Sequence, residues 1–221
     1  MREMTTRFSN VQHPEMRINF DESKALPEDG RALIRHLEER VTTGTSFRSG
    51  DMIQIGWTLA NVRDDSDGGL RLYEPDMKEI PIRWTEGVTT TLAHLRLQKD
   101  AAASFGREPD FPSIRDSILI ANDLVQTSTS FVLERGHPSA NDSGWFLGVR
   151  GTSLDYNESS NLRRDSLYRT ALDHPQLIMY LALPAGFRVL INGRSARFFL
   201  EGKPADPAPG TLLAELAAQT R

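Results

Sequence analysis

The stretch NDSGWFLG, residues 141–148, decides how the second half of this chain folds. Its first four residues favour a tight turn, and they stand directly before a Trp-Phe-Leu run that is typical of a strand. The segment SFVLERG, residues 130–136, has the β-branched and aromatic residues that are expected of another strand. We therefore predict a strand, a loop over residues 137–144, and a second strand over residues 145–151 that returns antiparallel to the first.

A related pattern occupies the first half of the chain. In DMIQIGWTLANVRD, residues 51–64, apolar residues alternate with polar or small ones, so this segment predicts a single strand. The polar DDSDGG and the alternating LRLYE follow it, and an Asp- and Gly-rich turn between two alternating runs predicts a hairpin. EIPIRW, residues 79–84, predicts one more short strand.

Four segments show the helical spacing of apolar residues. In the clearest of them, residues 26–44, four apolar residues fall on one face, namely Leu33, Ile34, Leu37 and Val41. The other three segments are residues 85–106, 166–183 and 211–221.

Local breaks refine this outline. Pro175 ends one helix and starts another, with Asp173 as the N-cap of the second. The dipeptide Asn192-Gly193 predicts a tight turn between two strands near the C-terminus. The polar stretch at residues 152–165 predicts a loop, and the Pro-rich stretch at residues 204–210 predicts a stiff spacer. Helices placed between groups of hairpins predict an α+β fold in which antiparallel sheets are covered by helices.

The length of 221 residues is enough for one large domain or two small ones. We expect a loosely ordered N-terminal segment over residues 1–25, with a short strand at Met16–Phe20. An α+β half over residues 26–106 and a second α+β half over residues 107–221 follow. Both halves share a rough plan of a Gly-Trp strand, a polar turn and a helix, which leaves a duplication open at this point.

Composition and charge exclude several classes of function. The chain has no cysteine, which rules out disulfides, thiolate nucleophiles and Cys-ligated metal sites. Its net charge is -4 and it has no Lys/Arg-rich run, so we expect no direct binding to nucleic acid. The polar N-terminus lacks the apolar core of a secretory signal, and no apolar run is long enough to span a membrane. We therefore expect a cytoplasmic protein.

The sequence contains no established motif for catalysis or for a metal or phosphate site. The five histidines lack metal-ligand spacing, and Gly-rich phosphate loops are missing, so we expect no metal and no cofactor. The loop at residues 136–145 brings His137 and Ser143 close in sequence, which leaves a small hydrolase as an alternative. However, the chain lacks a Gly-x-Ser-x-Gly elbow, and turn geometry explains these residue types, so we expect no catalytic residues.

Acidic residues concentrate in predicted loops beside aromatic residues. This composition suits a protein-binding rim in which acids steer a basic partner and aromatic side chains anchor it, although ordinary solvated loops would look similar. The first acidic rim consists of Asp64, Asp65, Asp67, Glu74 and Asp76. The second acidic rim consists of Asp142, Trp145, Asp155, Tyr156 and Glu158.

Several motifs in the second half resemble the immunity protein 33 family. They are Asp-Ser-Gly-Trp at residues 142–145, the polar, Tyr-containing stretch after it, the segment around Pro175, and a Leu-Pro-x-Gly step at residues 183–186. The resemblance covers Phe131 to Ile191. It implies a protein that is not an enzyme and that protects its producer in interbacterial competition by binding a secreted toxin, for example one of a type VI secretion system.

The resemblance also implies who the partner is. It would be the cognate toxin encoded next to this chain, bound over its active site or substrate cleft. If that toxin is a nuclease, its cleft is basic, and an acidic partner suits it. A structural or regulatory scaffold without any toxin is the remaining alternative.

Overall fold

The computed structural model describes residues 1–8 and 12–219. The chain divides into two compact units, Met1–Arg96 (unit 1) and Leu97–Arg221 (unit 2). Each unit contains one β-sheet together with helices, so the predicted α+β class is confirmed. Thr220 and Arg221, the last residues of the predicted C-terminal helix, lie outside the described residues.

Unit 1 is built on a six-stranded sheet. Its strands are β1 (Arg2–Thr5), β2 (Met16–Phe20), β3 (Met52–Ile55), β4 (Thr58–Asp64), β5 (Leu70–Pro75) and β6 (Trp84–Glu86). The spatial order is β1-β2-β5-β4-β3, and β6 pairs with β5. The pair β2–β5 is parallel and the other pairs are antiparallel, so the prediction of antiparallel sheets holds for all pairs but this one.

Helix α1 (Pro27–Thr42) forms where the sequence predicts it. Pro27 stands in the first turn, where its missing N–H costs no hydrogen bond. Gly30 packs so closely on the ring of Phe20 that a Cβ at this position would lie 2.5 Å from it. The apolar face of the helix joins the core of the unit through the four predicted residues, Leu33, Ile34, Leu37 and Val41.

Helix α2 (Thr89–Ala103) confirms the helix predicted within residues 85–106. It begins in unit 1 and ends in unit 2, because the division between the units falls after Arg96. Val88 and Leu92 belong to the core of unit 1. After the helix ends at Ala103, the chain turns at Phe105 and Gly106.

Two strand predictions in unit 1 are wrong in detail. Residues 51–64 form a hairpin and not one strand, because Gly56 has a positive φ of 61° and the chain turns there. As a result, Ile55 pairs with Thr58. The segment predicted as a strand over residues 79–84 contributes only its last residue to β6, and Pro81 within it has no N–H for a ladder.

The N-terminal segment is more ordered than the sequence suggests. The short strand predicted at Met16–Phe20 is confirmed, with Met16, Ile18 and Phe20 fully buried. Residues 1–25, expected to be loosely ordered, also supply β1, which pairs antiparallel with β2. The pairing satisfies backbone groups that a polar sequence alone gives no reason to order.

Unit 2 is built on a seven-stranded sheet. Its strands are β7 (Ser117–Ala121), β8 (Ser130–Arg135), β9 (Asp142–Val149), β10 (Leu162–Ser166), β11 (Phe187–Asn192), β12 (Ser195–Leu200) and β13 (Lys203–Ala205). The spatial order is β10-β7-β9-β8-β11-β12-β13. Strands β8 and β9 pair antiparallel, as predicted, whereas β7 and β9 are parallel.

Three helical elements of unit 2 pack against one face of this sheet, which we call the inner face. They are α3 (Leu167–Asp173), a 3-10 helix at Pro175–Tyr180 and α4 (Leu212–Ala218), whereas a short 3-10 turn at Ser159–Asn161 lies just before β10. Ring contacts join His174 to Phe131 and Tyr180 to Phe198. The inner face carries the buried side chains of alternate strand residues, including Ile118, Ile120, Phe131, Leu133, Trp145, Leu147, Phe187, Val189, Ile191 and Phe198.

Three local predictions in unit 2 are wrong. The polar segment at residues 152–165, expected to be a loop, contains β10, which pairs along β7. The spacer at residues 204–210 begins inside β13. The helix after Pro175 is a 3-10 helix, and its N-cap is His174 and not Asp173. These elements depend on pairing partners far away in sequence, which local pattern does not reveal.

Candidate functional site

Two members of the first acidic rim are held by arginines. Asp65 Oδ2 accepts hydrogen bonds from Arg71 Nε (3.1 Å) and Nη2 (2.8 Å) and from Arg17 Nη1 (3.0 Å). Asp67 pairs with the same Arg17 guanidinium. The hydrogen bond from Arg71 is the main cause that lowers the pKa of Asp65 below its usual value. Much of the negative charge is therefore already compensated within unit 1.

Glu74 does not lie on the surface. It is only 6% exposed, and its carboxylate accepts the backbone N–H groups of Thr90 (3.0 Å) and Thr91 (2.7 Å). These two amides belong to the first turn of α2, where backbone donors lack intrahelical partners and a negative charge is favoured. The structure therefore gives Glu74 a role in capping a helix, and a direct contact with a partner would require it to leave this position.

The remaining two members of the first acidic rim lie far apart. Asp64 is exposed and pairs with Leu70 at the start of β5. Asp76 directly follows the end of β5 and lies 3.6 Å from Lys78 Nζ. Asp76 lies six residue steps along the extended chain from Leu70, which corresponds to roughly 20 Å. The five residues of the first acidic rim thus do not form one continuous patch.

Asp142 of the second acidic rim stabilises a turn and an ion pair. Its Oδ1 accepts the Gly144 N–H (2.9 Å), and its Oδ2 accepts from Arg164 Nη1 (2.5 Å). Partial burial acts to raise the pKa of Asp142, but the bonds from Arg164 and Gly144 outweigh it and the pKa lies below its usual value. This geometry agrees with the turn role that its sequence context suggests.

Trp145 is part of the core, so it is not an exposed anchor. It is 1% exposed, and its Nε1–H donates to the carbonyl oxygen of Leu181 (2.9 Å). Arg135 lies over the indole, with its guanidinium carbon 5.3 Å from the ring centre, and donates to the same carbonyl. The tryptophan therefore joins the sheet to the segment after the 3-10 helix.

The other three members of the second acidic rim share one loop, residues 150–161. Asp155 and Glu158 are exposed, and the Asn157 backbone N–H is the main cause that lowers the pKa of Asp155. The Tyr156 hydroxyl accepts the Val149 N–H (2.9 Å) and lies 3.2 Å from Asp123 Oδ1. Desolvation is the main cause that raises the pKa of Tyr156.

The position of Tyr156 fixes this loop onto the sheet. Its ring lies 5.2 Å from that of Phe146, and a Cβ on Gly148 would come within 2.6 Å of it. Because Tyr156 bonds to Val149 at the end of β9, it lies about seven residues, or roughly 23 Å, from Asp142 at the start of the strand. The structure thus brings Asp155, Tyr156 and Glu158 together and separates Asp142 from them.

The hydrolase alternative loses support from the position of its nucleophile. Ser143 is fully buried, and its hydroxyl donates to the Ser117 carbonyl oxygen (2.8 Å) and accepts the Trp145 N–H (3.2 Å). His137 is exposed on the loop before β9. A nucleophile needs access to substrate and a base that takes its proton, and Ser143 instead stabilises the start of a strand.

No group of three or more His, Asp or Glu residues in the described part of the chain could hold a metal ion. Among the helices of residues 1–8 and 12–219, none is long and apolar enough to cross a membrane.

Sequence reasoning missed a second apolar surface in unit 2. Cross-strand pairing places Leu119, Phe146 and Glu134 side by side, on the face opposite to the inner face. Val132 and Leu190 face each other in the next row. The signal was present in the sequence, because the unbroken Trp-Phe-Leu run of β9 must put apolar residues on both faces of a strand.

Unit 2 is therefore an α+β domain that presents a loop with exposed acids and a partly apolar sheet face, and its one sequence-predicted nucleophile is buried. Residues 97–198 match the model of the Imm33-like domain. This match confirms the resemblance to the immunity protein 33 family, and it extends beyond Phe131–Ile191 in both directions. No curated protein and no solved structure matches the chain.

Proposed function

We propose that this chain is an immunity protein that binds the toxin encoded next to it and neutralises that toxin in the cytoplasm of the producing cell. The observation that carries the proposal is the Imm33-like domain over residues 97–198, which includes the first six strands of the sheet of unit 2 through most of β12. An inhibitor of this kind works by covering a surface and needs no catalytic group of its own.

The toxin we propose is a nuclease delivered by a secretion system such as type VI, and the inhibitor covers its active site or substrate cleft. Electrostatics supports this finer part. The chain has a net charge of -4, and exposed carboxylates at Asp64, Asp155 and Glu158 can steer a basic nuclease surface into place. We keep Asp64, Asp155, Tyr156 and Glu158 as candidate toxin contacts.

Co-expression tests the proposal. The product of the neighbouring gene is expressed with and without this chain, growth is followed, and the two proteins are purified together by size exclusion. We expect the neighbour to arrest growth alone, and we expect growth and a stable complex when both are present. A neighbour that is harmless, or that is toxic but forms no complex with this chain, contradicts the proposal.

A separate variant tests whether the exposed carboxylates of Asp155 and Glu158 steer the toxin electrostatically. Asp155→Asn/Glu158→Gln removes two exposed charges and preserves shape, and Glu39→Gln removes one exposed charge from α1 as a control. For a nuclease with a basic cleft we expect the double variant to associate roughly 3- to 10-fold more slowly at low salt, with the difference shrinking as salt rises. An association rate equal to that of wild type at low salt would remove these two residues from the proposed contact.

A further inference from the structure

The face of the seven-stranded sheet opposite to the inner face, here called the outer face, carries a row of side chains that runs across most of the strands. Register places the following residues next to one another along this row: Arg164, Leu119, Phe146, Glu134, Arg188 and Phe199. In the adjacent row, Val132, Leu190 and Arg197 are paired. The outer face thus combines two apolar pairs, Leu119–Phe146 and Val132–Leu190, with the Glu134–Arg188 ion pair on the central strands β8 and β11 and further charges around them.

The apolar residues of the outer face are partly accessible. Leu119, Val132, Phe146, Leu190 and Phe199 are each half-buried, whereas the inner-face residues named for the sheet above are buried. The ring contacts from Phe105, His174 and Tyr180 to the strands all reach the inner face. A contiguous set of accessible apolar side chains of this kind marks an interaction surface more often than a scattered residue does.

Two regions of the outer face differ in charge. At β9 the loop of residues 150–161 lies against the face, since Tyr156 packs on Phe146, and this loop exposes Asp155 and Glu158. Three strands away, Arg197 stands beside Leu190. Glu134 and Arg188 compensate each other through a bond of 2.9 Å, but within the described residues no ion pair is found for Arg197. The two regions are separated by about 14 Å, the three strand spacings from β9 to β12.

The size of the outer face suits a stable protein complex. Seven strands at about 4.8 Å spacing are roughly 29 Å wide, and strands of about six residues are roughly 20 Å long. Multiplying these two lengths gives a footprint of about 580 Å² for the bare strands. Projecting side chains and the adjoining loop add to this area. The bare footprint is about 580 Å² of the roughly 800 Å² that each partner buries in an interface of standard size, so the adjoining loop has to take part in the contact.

We infer that the outer face is the surface that binds the toxin, with Phe146, Val132 and Leu190 at the centre of the contact. This inference rests on the proposed function. The partner surface it fits has an apolar centre, a basic group facing Asp155 and Glu158, and a carboxylate facing Arg197. Residues 97–198 include all the side chains named for this face except Phe199, which agrees with a role shared by Imm33-like domains.

Substitutions at Leu190 test the inference. Leu190→Lys places a charge at the centre of the face, and Leu190→Thr keeps a residue that favours strands if the lysine variant does not fold. Leu26→Lys, at a residue that is 43% exposed in unit 1, is the matched control. Each purified variant is titrated against the neighbouring gene product, and circular dichroism and thermal unfolding check its fold. We expect both Leu190 variants to bind at least about 10-fold more weakly, and Leu26→Lys to bind like wild type.

The outcomes separate the two proposals. If wild type binds and the folded Leu190 variants bind equally well, the outer face is not the contact but the proposed function stands. If wild type does not bind at all, the proposed function fails and the inference fails with it. If wild type is a dimer by light scattering, and Leu190→Lys becomes a monomer that still binds the toxin, the face joins two copies of this chain and the inference is overturned.

Discussion

Replacing Glu74 by alanine would distinguish a binding residue from a structural one. The substitution removes both acceptors of the Thr90 and Thr91 N–H groups at the start of α2. A hydrogen bond to a charged group contributes about 1.5–3 kcal/mol, so the pair contributes roughly 3–6 kcal/mol before any offset. Desolvation of the buried carboxylate, which the variant no longer suffers, offsets part of this.

We therefore expect Glu74→Ala to lower the free energy of unfolding by about 2–3 kcal/mol, as a cap deletion of the stronger kind does. The assay is urea unfolding, together with amide hydrogen exchange in the first turn of α2. Exchange of the Thr90 and Thr91 amides should become faster than that of amides in the middle of the helix. Glu39→Ala, which removes an exposed carboxylate from the same unit, should change stability by less than about 0.5 kcal/mol.

Toxin affinity completes this test. Because the carboxylate points at the helix backbone, a folded Glu74→Ala protein should bind the neighbouring gene product as wild type does. Unchanged stability with reduced affinity would refute the reasoning, since it would mean that Glu74 reaches the partner as the acidic-rim hypothesis predicts.

Two further predictions concern the cores of the units. Desolvation lowers the pKa of His94 to about 4, and its ring accepts the Trp57 indole N–H at 3.3 Å. The folded protein therefore keeps His94 neutral, while the unfolded chain gains a proton on this residue below about pH 6.5. The contribution of His94 to stability is fully present above that pH and is lost as pH falls towards 4. The free energy of unfolding then decreases by up to about 1.4 kcal/mol per pH unit. Urea unfolding from pH 7 to 4 should show a shallower loss for His94→Gln than for wild type, and equal slopes would contradict the assignment. Trp145→Phe keeps an aromatic ring but leaves a cavity and loses the hydrogen bond to Leu181, so we expect about 2–4 kcal/mol lower stability and unchanged affinity for the neighbouring gene product, measured by unfolding and by titration at a temperature where the variant is folded. Weaker binding by such a folded variant would restore Trp145 as a contact residue.

Local periodicity was enough to locate most elements. Helix α1 and strands β8 and β9 follow from spacing that a single segment carries, because the buried face of each element repeats at its own period. The hairpin turn at Gly56 was missed since the apolar alternation continues through it. Strand β10 was missed because a polar strand at a sheet edge is ordered by its partner and not by its own composition.

The candidate site was harder to predict than the fold. Asp155 and Glu158 lie on an exposed loop as the sequence suggests, but Glu74 and Trp145 are buried. Their burial is decided by groups far away along the chain, the first turn of α2 and the carbonyl of Leu181. Sequence composition shows that a residue is acidic or aromatic, but it does not show which group in the fold forms hydrogen bonds with its polar atoms.

The shared acceptor at Leu181 has a consequence for how this domain can change over evolution. Arg135 and Trp145 lie opposite each other on β8 and β9, and both donate to that one carbonyl. Substituting either residue alone removes the side chain against which the other packs at the Leu181 carbonyl, so the effects of the two substitutions on stability should be non-additive. Among relatives, the two positions should therefore covary, and an Imm33-like sequence without the arginine should usually have replaced the tryptophan as well.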